Sequence, residues 1–180
     1  MTIWDDTPLD DIDTDKLDGG FQRVMPGKYH VQVKDVEFND KQEMVVQYEV
    51  MAGTCPGQEG KTFRDWFYPS PAARSRAFQF AVASGITTQE ELEELKRQRR
   101  SFNRWKDAVG QHLKVELFEE EYNGEMKTKC GFGIWHLNNP KAKDVPINKG
   151  VLDGTAGSEE NPFDDAPADE GAAEVQNPFG

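Results

Sequence analysis

Residues 61–68, KTFRDWFY, separate two kinds of side chain by simple alternation. Period-two spacing puts Arg64, Trp66 and Tyr68 on one face of a strand and Phe63, Asp65 and Phe67 on the other. A cation in line with two aromatic planes suits single-stranded nucleic acid: bases stack on such rings for roughly 1–3 kcal/mol each, and a guanidinium meets phosphate or stacks itself. Two arrangements are open. If Phe63 and Phe67 fill the core, the Arg64 row faces solvent; otherwise Trp66 and Tyr68 pack beneath the helix that follows.

A second region, 96–106, reads KRQRRSFNRWK and interleaves Lys96, Arg97, Arg99, Arg100, Arg104 and Lys106 with Phe102 and Trp105. Compensation of a helix dipole accounts for Lys96 and Arg97. Six cations in eleven residues without an acid exceed that need, so the stretch as a whole reads as a phosphate track. Lys127 and Lys129 form a third basic element on one strand face, with Trp135 in phase.

Enzymatic templates fit poorly. The chain has no glycine-rich phosphate loop, no Gly-x-Ser-x-Gly elbow and no His-Glu-x-x-His. His30, His112 and His136 fall in or beside strand-like segments without ligands at metal spacing, so structural roles are expected and no cofactor is. The run Glu119, Glu120, Glu121 reads as a solvated strand end; a nuclease built on it and Asp65 is the minor alternative. Cys55 and Cys130 are expected as reduced thiols in a cytosolic protein.

The elements that position these residues are mostly strands. Residues 28–38 alternate through Tyr29, Val31 and Val33, then slip one residue so that Val36 and Phe38 continue the inward face, the signature of a bulge. A second strand spans 43–51, with Met44, Val46, Tyr48 and Val50 inward, and a third spans 61–68. Ser70 and Pro71 open a helix over 71–84 that Gly85 stops. A second helix starts at Thr87, with Glu90 at capping-box spacing, and runs to about Arg100. A helical piece around 103–109 precedes a strand over 112–122 with Leu113, Val115 and Leu117 inward, an Asn123-Gly124 turn and a return strand over 125–135. Three strands, a helical insertion and two strands give a mainly β domain whose order matches the OB-fold, a five-stranded Greek-key barrel. An SH3-like barrel or a sandwich with a helical insertion shares that order.

Charge divides the 180 residues into three parts. The net charge of −12 places seven Asp and one Lys in residues 1–20, and eight acids and one Lys in residues 149–180. Residues 21–148 hold nineteen cations and eighteen acids, so the domain itself is nearly neutral. An acidic arm (1–20), an OB-fold-like domain (21–148) and an acidic tail (149–180) are expected, the tail being too poor in apolar residues to order itself. The tail carries Asn161, Pro162 and Phe163, and again Asn177, Pro178 and Phe179. Apolar surface in such a tail suits capture by a partner. No apolar run is long enough for a membrane span, and the N-terminus lacks a secretory pattern.

The opening PGKYHVQVKDVEF, the strand MVVQYEVMAG, the segment GKTFRDWFYPSPAARSRAFQFAVASGI and an acidic tail bearing Pro-Phe resemble the small single-stranded-DNA-binding proteins of bacteriophages, a family that includes a group known as a phage domain of unknown function. The resemblance covers residues 26–86 and the tail. It implies an OB-fold that coats single strands during phage DNA replication or recombination in the cytoplasm of an infected bacterium. It also implies a tail that recruits replication or recombination proteins; the tail's acidity further suggests that it competes for the DNA face when DNA is absent. The oligomeric state, monomer or homo-oligomer, stays open. The alternative is an adaptor or DNA mimic acting through its acidic ends.

Overall fold

Alternation of apolar and polar residues decides the architecture, because each strand has one face to bury. The computed structural model describes residues 23–153. It holds β1 (Gly27–Phe38), β2 (Met44–Gly53), β3 (Thr62–Phe67), β4 (His112–Tyr122) and β5 (Glu125–Trp135) in one open antiparallel sheet of order β3-β2-β1-β4-β5. The protein is mainly β, as its sequence indicates. The acidic arm and the Asn161–Phe163 and Asn177–Phe179 motifs lie outside the described residues. The chain divides into two units at Asn148 and Lys149, and the first carries the sheet. The second opens with the helical turn Lys149–Leu152, where composition alone suggests no order. Among the described residues no helix is long and apolar enough to cross a membrane.

The expected slip in β1 falls at Lys34, which is skipped between the Val33–Tyr48 and Asp35–Gln47 pairs. Val31, Val33 and Val36 are therefore all buried beside Val46, Tyr48 and Val50. Phe38 departs from expectation. It is half exposed, because it is the last residue of β1 and sits at the rim of the sheet. At the far end of the core, Asn123 (φ +54°) and Gly124 (φ +80°) make the tight turn between β4 and β5, a conformation Gly adopts without strain.

The connection between β3 and β4 carries α1 (Pro71–Ala83) and α2 (Gln89–Arg97). Ser70 caps α1 by accepting from the Ala73 N–H at 3.4 Å, and Pro71 occupies the first turn. Gly85 (φ +77°) ends it, with Gly85 and Ile86 N–H donating to the Val82 and Ala81 carbonyls. Phe80 is fully buried, edge-on to Tyr48 and against Phe67. Burial of one such ring is worth roughly 1.5–3 kcal/mol.

The start of α2 requires a correction. Thr88, not Thr87, is the cap: its hydroxyl accepts from the Glu91 N–H at 3.2 Å, while Thr87 donates to the Glu91 carboxylate at 2.7 Å. Thr87/Glu90 and Thr88/Glu91 have the same spacing, so the sequence holds two overlapping boxes and tertiary packing chooses between them. The helix also ends before Arg100, because Arg99 turns left-handed (φ +54°) and the Arg100 N–H closes on the Leu95 carbonyl.

Two devices complete the sheet. Arg76 of α1 pairs with Asp65 of β3 and donates to the Cys130 and Gly131 carbonyls of β5 at 2.9 and 2.8 Å. Gln79, one turn on, donates to the Phe132 and Ile134 carbonyls. One helix thus satisfies the free edge of β5 and ties it to β3 at the other end of the strand order. On the outer face of β1 and β4, residues 136–148 form a cover. Lys114 donates to the Ala142 carbonyl at 2.7 Å, Lys28 pairs with Asp144, and the Asn148 N–H donates to His30 Nδ1 at 3.1 Å. That last bond leaves the His30 proton on Nε2, which donates to His112 Nδ1 at 3.0 Å. Burial, then the neighbouring His112 and Lys114, push the His30 pKa down to about 4.

Candidate nucleic-acid interface

Pairing with β2 fixes which side of β3 faces out. Asp65 opposes Val46 and Phe67 opposes Met44, all buried, while Arg64 and Trp66 oppose the half-buried Gln47 and Val45. Trp66 is 43% exposed and Tyr68, just past the strand, 56%. The helix therefore does not cover them, which decides between the two arrangements left open by sequence. Phe63 is partly buried against Tyr48, with ring centroids 5.1 Å apart. Beneath the row, burial raises Asp65 to a pKa of about 6 although Arg76 is bonded to it. Arg76 in turn lies 4.4 Å from the centre of the Phe67 ring. The exposed row thus rests on residues that are locked from below.

The outer face of the β4–β5 hairpin adjoins this row. Phe118 opposes Lys129, Glu120 opposes Lys127 and Tyr122 opposes Glu125. Lys129 is ion-paired to Glu120, and that carboxylate raises the lysine pKa; Tyr68 and Tyr122 also lie within its electrostatic reach. Lys127 sits over the Tyr122 ring at 5.1 Å. Trp135 keeps the expected phase despite an irregularity: Val115 pairs with Ile134 and Leu117 with Cys130, so Glu116 alone faces three residues and the two extra ones preserve parity. Its ring is half-buried under Lys28, 5.9 Å away.

The 96–106 stretch is built differently from its expectation. Phe102 and Trp105 are partly buried against the core, not presented to solvent. Phe102 meets Trp105 edge-on at 4.8 Å, and both pack on Phe78 of α1. Packing of the two rings on Phe78 removes apolar area from water and so holds them inward. Arg97 is paired with Glu94, and Arg104 with Glu91 and Asp107. Lys96, Arg99, Arg100 and Lys106 remain on the surface. Cations are displayed here, and the aromatics are structural.

Other candidates change character in the fold. Glu119 binds Arg23 and Glu120 binds Lys129, so alternation sends consecutive members of the acidic run to opposite faces of the sheet. They do not converge as a metal-binding pair. Phe118, Tyr122 and Phe132 are exposed aromatics absent from the sequence expectation. The signal for the first two was present, since inward Leu113, Val115 and Leu117 force even-numbered residues outward. Among known proteins, no family model matches the chain and no curated sequence matches it either.

Proposed function

We propose that the chain binds single-stranded DNA with little sequence preference, through an OB-fold-like barrel, and protects it during phage DNA replication or recombination. The observation that carries this reading is the exposed row Arg64, Trp66, Tyr68, with Lys129 beside it and Lys127 on the same hairpin face. Rings that stack bases and cations that meet phosphates alternate there at side-chain distance, the combination that sequence-tolerant single-strand binders use. The strand order β3-β2-β1-β4-β5, with the helical insertion before β4, supports the barrel assignment. Lys96, Arg99, Arg100 and Lys106 extend the path for phosphates. In this reading the acidic tail offers Phe163 and Phe179 to partner proteins of the replication or recombination machinery in the host cytoplasm.

Titration of the full chain with oligo-dT at two salt concentrations, read by tryptophan fluorescence, tests the proposal. Quenching and an affinity that falls with salt are expected. Absence of quenching, or binding indifferent to salt, overturns it.

A further inference from the structure

The β4–β5 hairpin carries an aromatic ring in an unusual setting. A side chain added at Gly131 would place its Cβ 2.8 Å from Phe118 Cε1, so the Phe118 ring lies directly against the Gly131 backbone. Phe118 is nonetheless 43% exposed. Other outer-face rings of the hairpin differ: Tyr122 is capped by Lys127 and Trp135 by Lys28. Gly131 is itself fixed, because its carbonyl accepts from Arg76 Nε at 2.8 Å. Phe118 is therefore held on one side by an anchored backbone and remains partly exposed.

Charge on this face is mixed, with Glu125 of β5 at the turn end opposite Tyr122, but around Phe118 it divides between the strands. β4 contributes Glu116 and Glu120 on either side of Phe118, while β5 contributes Lys127 and Lys129. A phosphate is drawn to Lys127 and, by displacing Glu120 from its ion pair, to Lys129 on the β5 side; a neutral, flat base is accepted between the two glutamates. Lys129, directly opposite Phe118, also lies within electrostatic reach of Tyr68, which brings the hairpin face near the β3 row.

We propose that Phe118, seated on Gly131, is a further stacking site for an unpaired nucleobase, with the phosphates of that strand running along Lys127 and Lys129. The inference rests on the single-strand-binding reading above and adds an orientation to it: bases over β4, backbone over β5. The neutral ring flanked by acids selects for the base of a nucleic acid, not its phosphate.

The test uses the full-length chain and a dT oligonucleotide of about 16 nucleotides, within the range one such domain covers. Phe118→Ala is expected to weaken binding roughly tenfold. Gly131→Ala keeps the ring but pushes it off its seat, and is expected to weaken binding in the same direction. Phe132→Ala, which removes a more exposed ring (68%), is expected to leave affinity unchanged. Phe118→Trp in a Trp66→Phe background, where Trp4, Trp105 and Trp135 remain, is expected to show more quenching by the oligonucleotide than that background alone. Thermal melts of each variant separate loss of the ring from loss of the fold. If the wild-type chain does not bind dT, the parent reading fails and this one with it. If wild type binds and Trp66→Ala weakens binding while Phe118→Ala and Gly131→Ala do not, only the inference falls. It also falls if Phe132→Ala costs as much as Phe118→Ala, or if Phe118→Ala shifts the sedimentation coefficient at unchanged affinity, since the ring then serves association between copies.

Discussion

Two segments of this chain interleave tryptophan with arginine, and the fold treats them in opposite ways. In β3, Trp66 points out beside Arg64 while Asp65 and Phe67 go in. In 96–106, Trp105 goes in beside Phe102 and Phe78, and the arginines stay out. The difference comes from backbone geometry. A strand has two faces that alternate strictly, so a ring two residues from a cation shares its face. The 96–106 stretch passes from a helix end through an irregular run into the short turn Trp105–Ala108, where no single period governs direction. Composition there reports what is present and not where it points.

The largest effect that separates the two segments is on stability. Trp105→Ala removes a ring packed against the core and is expected to cost about 2–4 kcal/mol, whereas Trp66→Ala at a strand surface is expected to cost under about 1 kcal/mol. Urea denaturation of both variants measures this. Equal losses would erase the contrast. The binding experiment runs the other way: Trp66→Ala or Tyr68→Ala is expected to weaken oligo-dT affinity by roughly 1–3 kcal/mol each. A Trp66→Ala variant that binds like wild type removes the β3 row from the site.

The same geometric reason explains how much was readable in advance. All five strands were legible to within two residues, because inward Val, Leu and Tyr at period two mark both the element and its face. The Asn123-Gly124 turn was legible because few pairs adopt two positive φ angles in sequence. The link from Arg76 to Asp65 and to the β5 carbonyls was not, since it joins residues distant in the chain and its acceptors are largely backbone. Nor was the cover over β1 and β4, where the Ala142 carbonyl and the Asn148 N–H act through loop backbone and Asp144 meets Lys28 from far along the chain. Sequence put Trp66 and Tyr68 on one face of β3 but left open whether that face is covered, and it could not orient the rings of 96–106.

Acid offers a finer test of the β3 assignment, because Asp65 lies beneath the row and His30 lies under the distant cover. His30 has a folded pKa near 4 against about 6.5 when unfolded. The unfolded state takes up that proton first, so its contribution to stability is lost as pH falls from about 6.5 towards 4. Asp65 has the opposite sign. Its folded pKa of about 6 exceeds the 3.8 of a free carboxyl, so the folded state protonates first and gains stability over that window as pH falls. Each proton changes stability by at most about 1.4 kcal/mol per pH unit. His30→Gln is expected to lose less stability than wild type between about pH 6.5 and 4.5, and Asp65→Asn to lose more. Urea melts at the two pH values decide this; an Asp65→Asn slope identical to wild type places Asp65 in water and dissolves the face assignment of β3.

The smallest effect concerns what the 96–106 cations do once their aromatics are counted as structure. Arg99 and Arg100 stand on the surface at the end of α2. Arg104 and Arg97 are held by acids in surface pairs worth at most about 1 kcal/mol, so a phosphate competes for them without disturbing the fold. If this stretch follows phosphates, removing one cation that neutralises a phosphate should flatten the plot of log affinity against log salt by about 0.7. Arg99→Ala and Arg100→Ala are each expected to do so with unchanged denaturation midpoints and equal weakening for every oligonucleotide sequence. Trp66→Ala should do the reverse, weakening binding while leaving the salt slope intact, because stacking releases no counterions. An unchanged slope in both arginine variants confines the DNA path to β3 and the hairpin, and makes 96–106 a segment whose rings hold the helices and whose charges only keep it solvated.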